Sequence, residues 1–228
     1  MTDIELQALQ LSLSVATRSV LFSLPFAVLI AWLLTQRFIG RLAIDTLVHL
    51  PLVLPPVVIG YLLLLTFGTH GIIGQWLFQN FDIRLPFTRN GAALATAVMS
   101  FPLMVRTIRI SLEGIDHGLL DAARTLGATR IDRFFSIAMP LILPGIIAGA
   151  VTAFSASLGE FGAVITFAGN VTGETQTLAL ALYSAMQLPN GEHIAQHLAL
   201  IAIALGISGL LLAEWLARLS RRHIARVS

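Results

Sequence analysis

The chain alternates between long apolar runs and short polar segments. Five of the runs carry few charged residues, and they lie at residues 11–35, 46–67, 91–110, 137–158 and 197–216. A helix needs about 20 apolar residues to cross the hydrocarbon core of a bilayer, and each of these runs is long enough. The pattern therefore predicts an all-α protein, a polytopic bundle of about five transmembrane helices.

A sixth apolar region, residues 161–186, is interrupted at its centre. Residues 169–174 read Gly-Asn-Val-Thr-Gly-Glu, which leaves each half too short to cross a bilayer. Non-helical backbone is tolerated at membrane depth only where protein or water covers it. We therefore expect two short segments packed at the outer end of the bundle and no sixth span.

The arginines are divided unevenly between the two sides of the predicted bundle. Eleven of them lie at the end of the third span or after the first, third or last span: Arg37, Arg41, Arg106, Arg109, Arg124, Arg130, Arg133, Arg218, Arg221, Arg222 and Arg226. Only Arg18, Arg84 and Arg89 lie toward the other side. Because cytoplasmic loops carry an excess of basic residues, we expect the eleven to be cytoplasmic. The N-terminus is then outside, the C-terminus is in the cytoplasm, and the number of spans is odd.

The composition supports a membrane protein and excludes several other classes. Of the 228 residues, 56% are hydrophobic and 11% are charged, whereas a soluble domain carries about 25% charged residues. Cysteine is absent, which excludes a disulfide framework and a thiolate metal site. The net charge is only +2, so we expect membrane lipid and no nucleic acid as a partner. Residues 1–228 should form one transmembrane domain.

The most informative polar segment is the predicted cytoplasmic loop, residues 111–136. Apolar residues at helical spacing within 119–126 give a short helix one small apolar face: Leu119, Ala122, Ala123 and Leu126. Gly127 can end this helix in a left-handed conformation. A second helical piece should begin near residues 129–131 and run into the fourth span, with Pro140 in the first turns of that span. The loop then has the form of a rigid docking knob, and a simple connection between two spans is the alternative.

The same segment resembles the cytoplasmic loop of ABC-importer permeases. The consensus of that loop is Glu-Ala-Ala, three residues, Gly, nine residues and Ile-x-Leu-Pro. Here Asp-Ala-Ala at 121–123 precedes Gly127, and Ile-Ala-Met-Pro follows at 137–140. Asp121 thus replaces Glu, and Met139 replaces Leu. In that family the loop sits in a cleft of the ATPase subunit. The resemblance implies these ATPase-coupling residues: Asp121, Ala122, Ala123 and Gly127, flanked by Arg124 and Arg130.

Two other stretches narrow the resemblance. Residues 49–61 read His-Leu-Pro-Leu-Val-Leu-Pro-Pro-Val-Val-Ile-Gly-Tyr. Residues 157–163 read Ser-Leu-Gly-Glu-Phe-Gly-Ala, and they are followed by Gly-Asn at 169–170 and Gly-Glu-Thr-Gln-Thr at 173–177. They are most similar to the molybdate permeases, and the sulfate and thiosulfate permeases are similar in the same places. The resemblance implies a type I (MetI-like) importer architecture that acts as a homodimer with two ATPase subunits, which hold ATP-Mg, and an extracytoplasmic oxyanion-binding protein. It also implies molybdate transport across the cytoplasmic (inner) membrane of a bacterium, with tungstate, sulfate or thiosulfate as alternative substrates.

Six residues in or beside the spans are candidates for a gate or a pathway: Pro55, Pro56, Gly159, Glu160, Gly162 and Arg106. The prolines should bend the second helix, either as a hinge or path lining or as packing only. The glycines allow close helix approach, and Glu160 is either a gate carboxylate or a solvated helix end. Arg106, like Arg109 one turn later, either faces an inward vestibule and helps an anion pass or serves only as a topology signal.

The absence of some motifs also bears on function. No phosphate-binding loop of the form Gly-x-x-x-x-Gly-Lys-Ser/Thr occurs in the chain, so we expect ATP hydrolysis on a separate subunit. No His/Cys cluster suits a metal and no serine–histidine set suits catalysis, so we expect neither a cofactor in this chain nor an enzyme. A membrane-embedded enzyme and a secondary transporter are the alternatives. The first needs buried polar residues within the spans, and the second usually has inverted repeats and midplane charges.

Overall fold

A computed structural model describes residues 3–224 of the chain. Every regular element in this range is helical, as the apolar runs predicted. In chain order the elements are α1 (Asp3–Thr35), α2 (Arg41–Val53), α3 (Pro56–Phe67), α4 (Ile72–Phe81), α5 (Arg89–Glu113), α6 (His117–Thr125), α7 (Arg130–Arg133), a π-helical turn (Phe134–Ala138), α8 (Met139–Leu158), α9 (Gly162–Phe167), α10 (Leu178–Met186) and α11 (Glu192–Ile224). The predicted cytoplasmic arginine at position 226 lies outside the described residues.

Helices α1 and α5 run in the same direction through the centre of the bundle. Arg18 of α1 donates a hydrogen bond to Oδ1 of Asn90, at the start of α5, over 2.9 Å. Leu34, at the end of α1, belongs to the same buried cluster as Leu112, at the end of α5. The end of the bundle at which both helices begin is called the N face. The end at which both helices finish, next to α6, is called the loop face. The chain between them must therefore cross from the loop face to the N face.

This crossing is made by α2 and α3, which form one broken span. The two helices are bent by 117° at the break before Pro56. Ile44 of α2 packs against the cluster near the loop face, whereas Ile59 of α3 is buried with Ala92 near the N face. The pair therefore ends at the opposite face from where it began. Pro55 and Pro56 provide no N–H groups to continue α2, and the predicted bend is confirmed.

The fourth crossing returns the chain to the N face, antiparallel to α5. Gly145, in the second turn of α8, lies against Ser111 near the end of α5. After a break at residues 159–161, α9 continues outward, because Phe167 at its end lies against Gly91 at the start of α5. Helices α8 and α9 therefore cross the bundle in the same direction, with a break between them.

The last crossing is α11, which runs from the N face toward the loop face. Leu198, near its start, is buried with Ala8 and Leu178, and Gly209 lies against Ser155 of α8. In the described part of the chain, four helices are long and apolar enough to cross a membrane, and the bent pair is the fifth crossing. The predicted five spans are thus confirmed. The sixth apolar region forms two separate short helices, α9 and α10, also as predicted.

The fourth span begins earlier than hydropathy alone predicted. One continuous helix runs from Ile131 to Leu158, which confirms the expected helical piece that begins near residues 129–131 and runs into the span. Pro140 lies in the first turn of α8, also as expected. A proline inside an α-helix removes a hydrogen bond to the carbonyl four residues earlier and clashes with it. The π-helical turn lies directly before this proline, and there Met139 N donates to Phe134 O. This local change of hydrogen-bond register lets the helix pass the proline unbroken.

A glycine lets α3 and α9 pack directly against each other. A Cβ atom at Gly60 would lie 2.7 Å from the carbonyl oxygen of Ala163 and 2.7 Å from Cβ of Thr166. The carbonyl belongs to the backbone of a helix and cannot rotate away. Small residues at such contacts let membrane helices approach closely, and α3 is therefore held firmly to α9.

We expect Gly60→Ala to destabilise the bundle by about 1–3 kcal/mol, the usual cost of overpacking a filled interior. Gly206 in α11 is a matched control, because no described atom lies within 4 Å of a Cβ built there and alanine is favoured over glycine in a helix. Thermal unfolding of both purified variants in detergent measures the difference. Equal midpoints for the two variants would contradict the proposed contact.

Candidate functional site

A helical loop, residues 114–133, connects α5 to the fourth span at the loop face. Asp116 caps α6, since its Oδ1 accepts a hydrogen bond from the backbone N–H two residues later over 2.8 Å. Ile115 is buried in the core cluster, which anchors the loop to the bundle directly before α6. The short helix predicted at residues 119–126 is present, two residues longer at its start and one shorter at its end.

Gly127 ends α6 in the left-handed conformation that the sequence predicts, with φ of +88°. The N–H of Ala128 donates to the carbonyl of Ala123, and the N–H of Gly127 donates to the carbonyl of Arg124, both over 3.0 Å. These bonds satisfy two carbonyls that the end of the helix leaves open. No described atom lies within 4 Å of a Cβ placed at Gly127. The backbone conformation, and not lack of space, therefore favours glycine here.

A reciprocal cap begins the next helix. Thr129 Oγ1 accepts from the N–H of Asp132 over 3.2 Å, and Asp132 Oδ2 accepts from the N–H of Thr129 over 3.1 Å. This arrangement is a capping box. The sequence analysis placed a helix start near this point but missed the box, although Thr-x-x-Asp at 129–132 is close to its usual signal. The hydrogen bonds that end α6 at Gly127 and this capping box together hold the turn between the two helices.

The helical loop and the turn after it expose large apolar side chains at one end of the bundle. The exposed fractions are 51% for Leu119, 88% for Leu126, 66% for Ile131 and 63% for Phe135. Among the predicted coupling residues, Ala123 is half-buried. Four others are exposed: Asp121, Ala122, Arg124 and Gly127. The side chain of Arg130 lies outside the described ones. Clustered exposed apolar side chains are typical of a surface that binds a partner.

The two helix breaks lie against each other in space. A Cβ atom on Gly162, the first residue of α9, would lie 2.7 Å from Cβ of Pro56, the first residue of α3. We name this meeting point, residues 54–56 with 159–162, the junction. Five of the six candidate gate residues belong to it, although they come from two segments that are far apart in sequence. Neither segment alone contains a signal that the two meet.

Glu160 has a definite contact at the junction. Its Oε1 accepts a hydrogen bond from the N–H of Ala163 over 2.8 Å, and its side chain is half-buried. It thus caps α9, whose first N–H groups have no partner within the helix. Gly159 has room for a side chain, because the nearest atom to a Cβ placed there would be the carbonyl oxygen of Ala156, at 3.8 Å. The expectation of close helix approach therefore holds for Gly162 and is wrong for Gly159.

The two arginines of the third span differ in their surroundings. Arg106 is exposed on α5 and takes no part in the contacts that form the junction. Arg109 lies 3.0 Å from Oδ2 of Asp45 and 2.8 Å from Oε1 of Glu113. Arg109 thus bridges α2 and α5. Neither of its predicted roles, lining an inward vestibule or serving as a topology signal, included this contact. Asp45 carried no sequence signal for this role, because it lies 64 positions from its partner.

Comparison with known proteins places the chain among transport proteins. Residues 23–226 match the family model described as "Binding-protein-dependent transport system inner membrane component". The chain is 56% identical to the molybdenum transport system permease protein of Escherichia coli strain K12, over 99% of both chains. It is 52% identical to the protein of the same description from Haemophilus influenzae, over 97% of both. It is also 41% identical to the sulfate transport system permease protein of Salmonella typhimurium, over 79% of this chain and 65% of that one.

Solved structures share the fold. An inward-facing methionine ABC transporter matches with a TM-score of 0.73 at 15% identity, over 96% of this chain and 99% of that chain. A bacterial alginate ABC transporter in complex with its periplasmic protein matches with a TM-score of 0.69 at 20% identity, over 97% and 80%. At these identities the likeness shows the fold alone, and this fold is the type I importer architecture. From the family match and the full-length relatives we conclude that this chain belongs to the inner membrane components of binding-protein-dependent transport systems, as a membrane-spanning permease subunit of an ABC importer.

Proposed function

We propose that this permease carries molybdate across the cytoplasmic membrane. The observation that carries the substrate assignment is the 56% identity to the E. coli molybdenum permease over 99% of both chains. The residues of a transport path are spread along the whole chain, so identity over the full length is more informative than any single motif. Tungstate has the same shape and charge as molybdate and is expected to follow it. ATP with Mg²⁺ is bound and hydrolysed by a partner subunit.

Sulfate or thiosulfate is the second candidate substrate. It is supported by the 41% identity to the Salmonella sulfate permease, over 79% of this chain. Sulfate and molybdate are both tetrahedral dianions, so the electrostatics of a path do not separate them. The higher identity over the larger share of the chain favours molybdate.

The loop face is proposed to lie in the cytoplasm. Arg124 and Arg133 are part of the helical loop at this face, and an excess of arginine is typical of the cytoplasmic side. The N face then lies outside and receives the oxyanion from an extracytoplasmic binding protein. Residues 1–228 act as one transmembrane domain, and the helical loop, within residues 111–136, is its cytoplasmic contact.

A homodimer of this permease is the proposed working form, with the path between the two copies. The edge formed by α2 and α3 supports this arrangement, because it lies next to the junction and is largely exposed. Val53 is 80% exposed, Val57 54% and Tyr61 54%. This edge is proposed to face the second copy, and each copy binds one of two ATPase subunits.

The helical loop is the proposed contact with the ATPase. By resemblance the contacts are made by these residues: Asp121, Ala122, Ala123, Arg124, Gly127 and Arg130. Leu119 and Leu126 support the assignment, since a cleft in the partner would cover their exposed apolar surface. The caps on both sides of the turn keep the loop rigid, so its displacement reaches α5 and the fourth span. When the two ATPase subunits close on ATP, they draw the two loops together and the path opens outward, provided that ATP binds the two states with different affinity.

The junction is the proposed gate. Two broken helices meet there, and a change in the 117° bend between α2 and α3 would alter the width of the path at this depth. Pro56 and Gly162 provide the contact between the breaks. Pro55 belongs to the first break, and Gly159 and Glu160 shape the second. Arg106, exposed on α5 toward the loop face, is proposed to attract the anion on the inner half of the path.

The docking assignment predicts different effects for two substitutions at one position. Gly127→Val should cost about 1–2 kcal/mol in the left-handed turn, or roughly tenfold in the population of the competent loop. Gly127→Asn should retain binding, because asparagine accepts this conformation. The measurement is co-purification of the ATPase with the permease from membranes. Ala123→Arg places a large charged side chain in the proposed contact and should abolish co-purification. Normal co-purification and transport in both Gly127→Val and Ala123→Arg would contradict the assignment.

The cap at the junction predicts a difference between two substitutions of Glu160. Glu160→Gln keeps an oxygen that can accept from the N–H of Ala163, so molybdate uptake should stay near the wild-type rate. Glu160→Ala leaves that N–H unpaired at a cost of about 1–3 kcal/mol, and uptake should fall roughly tenfold. Uptake in cells, corrected for the amount of permease in the membrane, measures both. An equal loss in the two variants would mean that the charge matters and not the cap.

The substrate assignment predicts a selective loss of uptake. Deletion of this permease should abolish high-affinity uptake of labelled molybdate and leave sulfate uptake intact. Restoring the wild-type chain should restore molybdate uptake and serves as the control. Loss of sulfate uptake with normal molybdate uptake would favour the second candidate.

A further inference from the structure

Helix α2 is attached to the bundle along one edge. None of its 13 residues is buried, and Ile44 and Val48 pack only partly buried against the core. Asp45 lies between these two residues, and its Oδ2 accepts a hydrogen bond from the guanidinium of Arg109 over 3.0 Å. Little apolar surface holds α2, and this ion pair adds a direct polar contact between α2 and α5.

Both partners of the ion pair are held in place by a further contact. On α5, Nε of Arg109 donates to Oε1 of Glu113 over 2.8 Å. On α2, Nδ1 of His49 lies 2.8 Å from the carbonyl oxygen of Asp45 and 3.1 Å from its Oδ1. The side chains of Arg109 and Asp45 are only 21% and 30% exposed. A partly desolvated, charge-assisted hydrogen bond is stronger than an ion pair in open water.

The ion pair joins the two parts of the permease that are proposed to move. Arg109 lies on the last turns of α5, and α5 leads directly into the helical loop. Asp45 lies on α2, and the other end of α2 is the junction at Pro55. Along the backbone, the route from α2 to the helical loop passes through α3, α4 and all of α5. Across the ion pair the same two parts are in direct contact.

We propose that Asp45 and Arg109 are positioning residues that transmit the movement of the helical loop to the junction. Without their ion pair, α2 no longer follows the end of α5, and ATP is hydrolysed without opening the gate. This inference rests on the proposed function of the chain as an importer subunit whose loop binds an ATPase. It adds a specific path for the coupling, through side chains rather than along the chain.

The test uses the complete importer in proteoliposomes, with its ATPase subunits, the binding protein and molybdate. Molybdate transported per ATP hydrolysed is measured for the wild type, Asp45→Asn, Arg109→Gln and the double variant. Each single substitution should lower this ratio about tenfold, within the usual range of coupling between sites, while ATPase co-purification stays normal. The double variant should be no worse than the single variants, because both substitutions remove the same interaction.

Glu113→Gln tests the supporting contact separately. Glu113 contacts Arg109 within α5, and its loss leaves the bond between Arg109 and Asp45 available, so the ratio should fall less than in Asp45→Asn. Asp45→Glu keeps the carboxylate and should recover part of the ratio lost in Asp45→Asn. Wild-type ratios in the single variants, losses that multiply in the double variant, or no recovery with Asp45→Glu would each overturn the inference. A wild-type importer that moves no molybdate would instead overturn the proposed function.

Discussion

A backbone N–H or carbonyl group in the hydrocarbon core of a membrane has no water to bind, and leaving it unpaired is costly. This constraint explains why all five crossings are helices, and it also decides where a helix can break. At the first break Pro55 and Pro56 bring no N–H groups, and at the second Glu160 accepts from the N–H of Ala163. The two breaks lie against each other where Gly162 packs on Pro56, and Leu54 and Glu160 beside this contact are half-buried.

Helix packing in the bundle produces rigid and loosely held parts side by side. In lipid, apolar surface alone does not drive helices together, and close contact depends on small residues and polar bonds. Gly60 and Gly162 bring α3 and α9 into direct contact, whereas α2 has no buried residue and is held by Asp45 and Arg109. A broken span with one firm half and one loose half can change its bend without disturbing the core. This asymmetry supports the proposal that the junction is the gate.

The helical loop is stabilised in a different way from the spans, because it lies at their end. Its turn is stabilised by local hydrogen bonds, with Gly127 ending one helix and Thr129 with Asp132 beginning the next. Local caps keep the loop stiff without burying it, which leaves Leu119 and Leu126 exposed for a partner. The loop thereby presents a rigid surface, which supports the proposed contact with an ATPase subunit.

The amino-acid sequence by itself determined the five crossings, the bend at Pro55 and Pro56, the helix of the loop and its left-handed end at Gly127. Each of these depends on hydropathy or backbone preference within a few residues, so a local pattern is sufficient to predict it. Only the tertiary structure decided that the two breaks meet, that Arg109 binds Asp45 across 64 positions, and that a π-helical turn carries the fourth span past Pro140. Contacts between distant segments and the register of a long helix depend on how the whole bundle packs, and no local pattern encodes that.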